Sequence, residues 1–308
     1  MYPTHVKLTR WHRPRPSDNL PVLLAFVVLS GCSRTTVSTS AVDVPAPPRR
    51  DTASRREADI TRALGKDKNL DRSDLSGVDF SNAHLPGADF SGLNLRGANL
   101  QGADISNVNL SGANLQGANL RGAIVNGTSF GSANLQLAVF ANASIRDANF
   151  NGADLRNANF VSAILTSASF GGANMRGANF SGLDLRHSSI ARAHLSGANL
   201  SRTILRGVNL ELSGLVGTDL SQSDMRLAIL RSANLVGSNL SDADLRGADL
   251  SMSSLGNANL SRADLRGTNL RDAILRRVER RGFDAILVGI RFDRSTRWPS
   301  DLDGVFSQ

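Results

Sequence analysis

The only thiol in the chain, Cys32, stands directly behind Leu29, Ser30 and Gly31. Thiolates are nucleophiles and metal ligands, so this is the first place to look for covalent chemistry. A single cysteine builds neither an intrachain disulfide nor a cysteine-rich metal site. A hydroxyl candidate lies in Gly127-Thr128-Ser129-Phe130-Gly131, which matches G-x-S-x-G. That motif needs a strand-turn-helix setting to present its serine, and the surrounding sequence does not supply one. His187 and His194 are close in sequence but have no carboxylate constellation or metal-ligand spacing around them. What remains is ionic. Arg186, Arg206, Arg226, Arg246 and Arg266 recur every twenty residues, and Asp184, Asp224, Asp244 and Asp264 precede them by two, with Ile204 breaking the series.

The element that positions these residues runs from Leu70 to Leu275, where 42 consecutive fifth residues are Leu, Phe, Ile, Val or Met. Two residues before each stands a small or compact one, most often Ala (Ala83, Ala98, Ala113), and Asn or Asp usually lies between the two. A period of five fits neither a strand nor a helix, on which successive large residues would step about 500° and scatter over all faces. A chain that turns a corner every five residues resolves this. The large residue i and the small residue i−2 then point inward, while i−1, i+1 and i+2 face out or form the corner, where glycine is best tolerated. The period alone allows three sides or four.

Units such as Ala98-Asn99-Leu100-Gln101-Gly102 closely resemble the A-(N/D)-L-x-x pattern of the pentapeptide-repeat family. The resemblance covers about two thirds of the chain. It implies an all-β fold, a right-handed quadrilateral parallel β-helix with twenty residues per coil. Residues 70–279 would then make about ten coils, on the order of 50 Å long at about 4.8 Å per strand spacing. In that frame Phe130, Phe150 and Phe170 form one inward column, and Phe140, Phe160 and Phe180 a facing one. The Arg and Asp series become outward ladders on one side that neutralise each other. They read as a solvated, salt-bridged face, or more sharply as a docking stripe for a partner or an acidic glycan.

The flanks are of different character. Lys7, Arg10, Arg13 and Arg15 precede a short apolar run, Leu20 to Leu29, and then the small residues before Cys32. This is the pattern of a secretory signal peptide over 1–31, with a run too short to span a bilayer. Leu29-Ser30-Gly31-Cys32 also resembles the lipobox of bacterial lipoproteins, which implies cleavage before Cys32 and acylation of that cysteine. Ser33 resembles an outer-membrane sorting signal. Residues 32–53 carry Pro45, Pro47 and Pro48 and few large apolar residues, which suits an extended tether. Ser54 and Glu57 have capping-box spacing, so 54–69 is expected to be a short helical cap. Register fails at Arg280. Residues 280–308 read as an exit cap, in which Phe292-Asp293-Arg294-Ser295-Thr296-Arg297-Trp298-Pro299 resembles a tail that follows many such repeat blocks.

The net charge of +8 could suggest nucleic acid as a partner. Its distribution argues otherwise: residues 1–69 carry +6, 276–308 carry +2, and 70–275 hold 16 Lys and Arg against 16 Asp and Glu. The family includes proteins that bind DNA topoisomerase by presenting an acidic surface, and a cytoplasmic protein of that kind is the alternative reading. A neutral repeat block and an export signal disfavour it. The expectation is a non-enzymatic scaffold or interaction surface in the bacterial envelope, without a cofactor. It would be lipid-anchored through Cys32 to the outer membrane or the outer face of the cytoplasmic membrane. Its partner would be an as yet unidentified protein, no nucleic acid is expected, and the rod's ends and flat sides would permit an end-to-end or side-by-side dimer.

Overall fold

Large residues at every fifth position share one interior only if the backbone turns between them, and each unit turns at the same place. In the first described unit the Val78 N–H donates to the Leu75 carbonyl at 3.2 Å, and Gly77 between them has φ +65°. Positive φ at the second central residue is the mark of a type II turn. The Asn or Asp at i−1 braces the same corner: Asp74 Oδ1 accepts from the Ser76 N–H at 3.0 Å, and Asp89 Oδ1 from the Ser91 N–H at 3.1 Å. The same side chains also tie coils together, since Asn119 Nδ2 donates to Asn99 Oδ1 at 3.1 Å. Asn and Asp recur at i−1 because they can make both kinds of bond.

The computed structural model describes residues 74–275 and 287–300. Within 74–275 every β-bridge is parallel and joins a residue to the one twenty further on, from Asp74↔Asn94 to Ser254↔Ile274. The register follows from backbone bonds such as Leu75 N–H to the Asn94 carbonyl and Asn99 N–H to the Val78 carbonyl, both 2.8 Å. A turn every five residues and a bridge every twenty give four sides, so the coil is quadrilateral. The fold is the right-handed parallel β-helix, in keeping with the hand of parallel crossover connections generally. Each side is so short that only β1 (Ser144–Arg146) and β2 (Ile164–Thr166) are continuous strands, paired in parallel with Ile145 opposite Leu165. No helix among the described residues is long and apolar enough to cross a membrane.

The core is one continuous column of the i and i−2 side chains, nearly all buried. Its middle is aromatic, as the twenty-residue frame predicts. Phe130, Phe150 and Phe170 stack at 4.8 and 5.0 Å, and Phe140, Phe160 and Phe180 at 4.7 and 4.6 Å. Across the core the two columns meet edge to face, as between Phe150 and Phe160 at 6.0 Å. Ala at i−2 leaves the room these rings need. Where Ser or Thr replaces it, the hydroxyl usually finds a carbonyl: Ser223 Oγ donates to Leu220 O at 2.6 Å, whereas the buried Ser238 Oγ has no partner. Ser223→Ala is therefore expected to cost about 1 kcal/mol in denaturant unfolding. Ser238→Ala should cost nothing and gain up to about 1 kcal/mol.

After Leu275 the register changes. The tail rejoins the stack at Arg291, opposite Asp264, and at Arg297, opposite Asn269, offsets of 27 and 28 rather than twenty. Thr296 Oγ1 donates to the Leu265 carbonyl at 2.8 Å, and Asp293 Oδ1 accepts from the Gly267 N–H at 3.2 Å. Trp298 is 7% exposed, packs on the core and meets Phe292 edge-on at 5.6 Å. This segment closes two of the four sides of the last coil, as solenoid ends require. The signal segment 1–31, Cys32 and its lipobox, the tether 32–53, the helical cap 54–69 and Arg280 lie outside the described residues.

Candidate interaction face

The side carrying the ladders presents two outward columns, at i−1 and i+1, from the coil of His84 to that of Asp264 and Arg266. Residues two apart on a strand share a face, so an Arg at i+1 can fold back onto an Asp at i−1. Arg186 does this with Asp184 through Nε at 3.0 Å and Nη2 at 2.6 Å. Arg226 repeats it with Asp224 (2.7 and 2.6 Å), Arg246 with Asp244 (2.8 and 2.7 Å), and Arg266 with Asp264 (2.9 and 2.6 Å). Neighbouring coils are linked as well, with Arg226 Nε 3.6 Å from Asp244 and Arg246 Nε 3.9 Å from Asp264.

Each paired carboxylate is also held by its own corner, since it accepts a backbone N–H there, as in Arg186 N–H to Asp184 Oδ1 at 3.1 Å. Hydrogen bonds from the paired guanidinium hold the Asp184, Asp224 and Asp264 carboxyls below the usual carboxylate range, against a smaller opposing effect of burial. A depressed folded pKa contributes stability above the ordinary carboxylate range, lost as pH falls through the folded value. The pairs are thus ionised and closed at neutral pH. Exposed pairs of this kind add little to stability, and a closed pair offers little charge to a partner.

The sequence stripe therefore divides. Arg206 occupies its expected column, but Ile204 stands where its carboxylate would be, and among the described residues it makes no ion pair. Arg146, which the stripe did not include, is in the same state because Ser144 precedes it. Between and beside these cations alternate residues of the i−1 column are aliphatic: Ile124 is 40% and Ile164 67% exposed, with Ile204 half-buried. At the far end of the column His84 Nδ1 lies 3.1 Å from Asp104 Oδ2, a pair that the twenty-residue step would have revealed.

The other candidates are structural. Phe130 of the G-x-S-x-G match is fully buried, Thr128 Oγ1 donates to the Ile105 carbonyl at 2.7 Å, and Ser129 Oγ meets Ser111 Oγ at 2.8 Å. His194 lies in register between Asn174 and Gly214, and His187 occupies a corner of a different column. Among the described residues no group of three or more His, Cys, Asp or Glu could hold a metal ion.

A family model described as pentapeptide repeats matches residues 73–112, 113–152, 143–182, 178–213, 214–251 and 238–277. Among solved structures the chain is similar to HetL, a pentapeptide repeat protein involved in heterocyst differentiation regulation in the cyanobacterium Nostoc sp. strain PCC 7120. The identity is 28%, covering 72% of this chain and 90% of that one, with a TM-score of 0.40. It is also similar to the pentapeptide repeat protein Rfr23 of the cyanobacterium Cyanothece 51142, at 40% identity over 35% of this chain and 61% of that one (TM-score 0.19). A third is QnrB1, a plasmid-mediated fluoroquinolone resistance protein, at 22% identity over 68% and 90% (TM-score 0.28). No curated protein matches.

Proposed function

This chain belongs to the pentapeptide-repeat family, and from that premise we propose that it is a non-catalytic, lipid-anchored scaffold that presents an interaction surface in the bacterial envelope. One observation carries the reading. Packing consumes the i and i−2 side chains of every unit, and the outward columns of the ladder side concentrate Ile, Asp and Arg where the other faces carry mostly Asn and Ser, with only scattered pairs such as Asp154–Arg156. Residues that the fold does not need are the ones available for a partner. The envelope location rests on Leu29-Ser30-Gly31-Cys32 behind a basic and then apolar leader. Several acyl chains on one cysteine would anchor stably where a single chain binds marginally. An acidic surface that imitates duplex DNA, which the topoisomerase alternative requires, is opposed by the internal neutralisation of the ladder.

The test has two arms. Cells grown with an alkyne palmitate analogue should label the wild-type chain in the membrane fraction, and Cys32→Ala should remove both the label and the membrane association. A soluble, unlabelled wild-type protein that keeps Met1 would overturn the anchored reading and revive the cytoplasmic alternative. In the second arm, cross-linking in intact envelopes should capture a protein partner, and sedimentation of the purified chain reports whether a second copy also associates. Loss of no partner on charge reversal of Arg206, Arg226 and Arg246 together would remove this face from the proposal.

A further inference from the structure

Resting on that reading, we infer that the docking part of the face is the stretch from Ile124 to Arg206, and that its partner is an extended acidic polypeptide segment with an aliphatic residue between its carboxylates. The two halves of the column differ. From Asp224 to Arg266 each guanidinium is held in a fork by its own carboxylate, and adjoining coils are cross-linked. An incoming anion there would have to displace an existing one. Arg146 and Arg206 are held in no such fork among the described residues, although the Arg206 charge also acts on Asp224 in the next coil. Each is exposed, and an unpaired arginine presents a planar fork of donors suited to a carboxylate.

The aliphatic residues flank those cations: Ile124 and Ile164 lie one coil to either side of Arg146, and Ile204 lies beside Arg206. Ile124, Ile164 and Ile204 occupy alternate coils of the i−1 column, and Ser144 and Asp184 occupy the coils between them. Ile204 and Arg206 share one coil. The platform's two central sides are the continuous strands β1 and β2. Single exposed isoleucines need no explanation. A column of three does, because Ile204 replaces the carboxylate that would close Arg206, while Ile124 and Ile164, beside Asn126 and Thr166, add apolar surface on either side of Arg146.

Spacing selects the partner's form. Arg146 and Arg206 are three coils apart, about 14 Å at about 4.8 Å per coil. In an extended chain, residues i and i+4 lie about 13 Å apart with their side chains on one face, and i+2 lies between them on the same face. A segment of the form Glu-x-Val-x-Glu, running along the stack, would place its carboxylates on the two arginines and its valine against the isoleucine column. The Asp184–Arg186 pair, already closed, fills the coil between without contributing net charge.

The purified full chain, kept in non-ionic detergent with its leader processed as found, would be titrated into fluorescein-labelled Ser-Glu-Ser-Val-Ser-Glu-Ser. Fluorescence anisotropy would be read beside the same probe with Lys for Glu. The acidic probe should bind and the basic one should not. Arg146→Gln with Arg206→Gln should weaken binding by about tenfold or more, the usual consequence of removing half of a charge-assisted contact. Ile164→Ser should weaken it about threefold or more through the lost apolar contact. Asp264→Asn with Arg266→Gln deletes one closed pair without changing net charge and should leave binding within about twofold.

No binding of the acidic probe, equal binding of the basic one, or equal loss in the Asp264/Arg266 double variant would each overturn the inference. Binding of phosphatidylserine vesicles through Arg146 and Arg206 without peptide binding would overturn it in favour of a lipid headgroup. A concentration-dependent dimer abolished by the same substitutions, again without peptide binding, would do so in favour of a second copy. Envelope cross-linking keeps the two readings separate. A partner captured without peptide binding leaves the scaffold standing and removes only this partner class.

Discussion

Phe150→Ala is expected to destabilise the protein by about 3–5 kcal/mol, the range for removing a buried phenylalanine from a core that cannot collapse around the space. Phe150 is fully buried at the centre of the aromatic block. It stacks on Phe130 and Phe170 at 4.8 and 5.0 Å and meets Phe140 and Phe160 edge-on at 5.7 and 6.0 Å. Its backbone is held by coils on both sides, so neither neighbour can move in to fill the gap. Because each coil contacts only its neighbours, the damage should be local. Hydrogen exchange should report lost protection in the coils around 130–170 and little change near Leu250. Phe150→Leu should be far milder, below about 1.5 kcal/mol, since Leu already fills this column at Leu110 and Leu210. Equal losses for the two variants in urea unfolding would mean that ring stacking does not organise this part of the core.

How much of this could be read beforehand depends on which force acts on a position. Inward residues were legible because burial imposes one demand, size in register, at every fifth residue from Leu75 to Leu275. The Phe columns and the Asp–Arg ladder followed once four sides were granted, since a step of twenty then means vertical contact. The pairing of individual ladder residues was less clear. Ile204 was visible in the sequence as a break, but its consequence for Arg206 depends on each arginine pairing within its own coil first and across coils second. Arg146 was missed because Ser144 carries no charge to draw attention to its column. The re-entry of the tail at Arg291 and Arg297 had no periodic signal at all. Nothing in the partly alternating apolar residues Phe283, Ile286, Val288, Ile290 and Phe292 encodes an offset of 27 or 28, which is set by what fits over the last coil.

The corners show the same limit more sharply, and they carry the second large effect. Glycine was the expected residue at i+2, and often is, but Leu137, Leu212 and Leu227 hold φ of +60°, +58° and +58°. Bonds to the coils on either side fix the corner whatever residue occupies it, so the strain is absorbed by the stack. Gly177→Val should reveal how far that tolerance extends. Gly177 has φ +67°, and a side chain there would run into the Asn157 Oδ1 that lies over it from the preceding coil. The left-handed backbone alone costs a β-carbon residue roughly 1–2 kcal/mol, and β-branching makes such a conformation a true outlier. The asparagine must also move, and it is held by its own corner at φ +57°. Together these should bring the loss to roughly 3 kcal/mol in denaturant unfolding. Gly97→Asn is the matched control: at φ +65° it meets nothing within 4 Å, and asparagine adopts this conformation readily. Its expected cost is below about 0.5 kcal/mol. If valine at 177 proved as harmless as asparagine at 97, the corner would have to be adjustable, and the fixed square coil that sets the spacing between Arg146 and Arg206 would no longer hold.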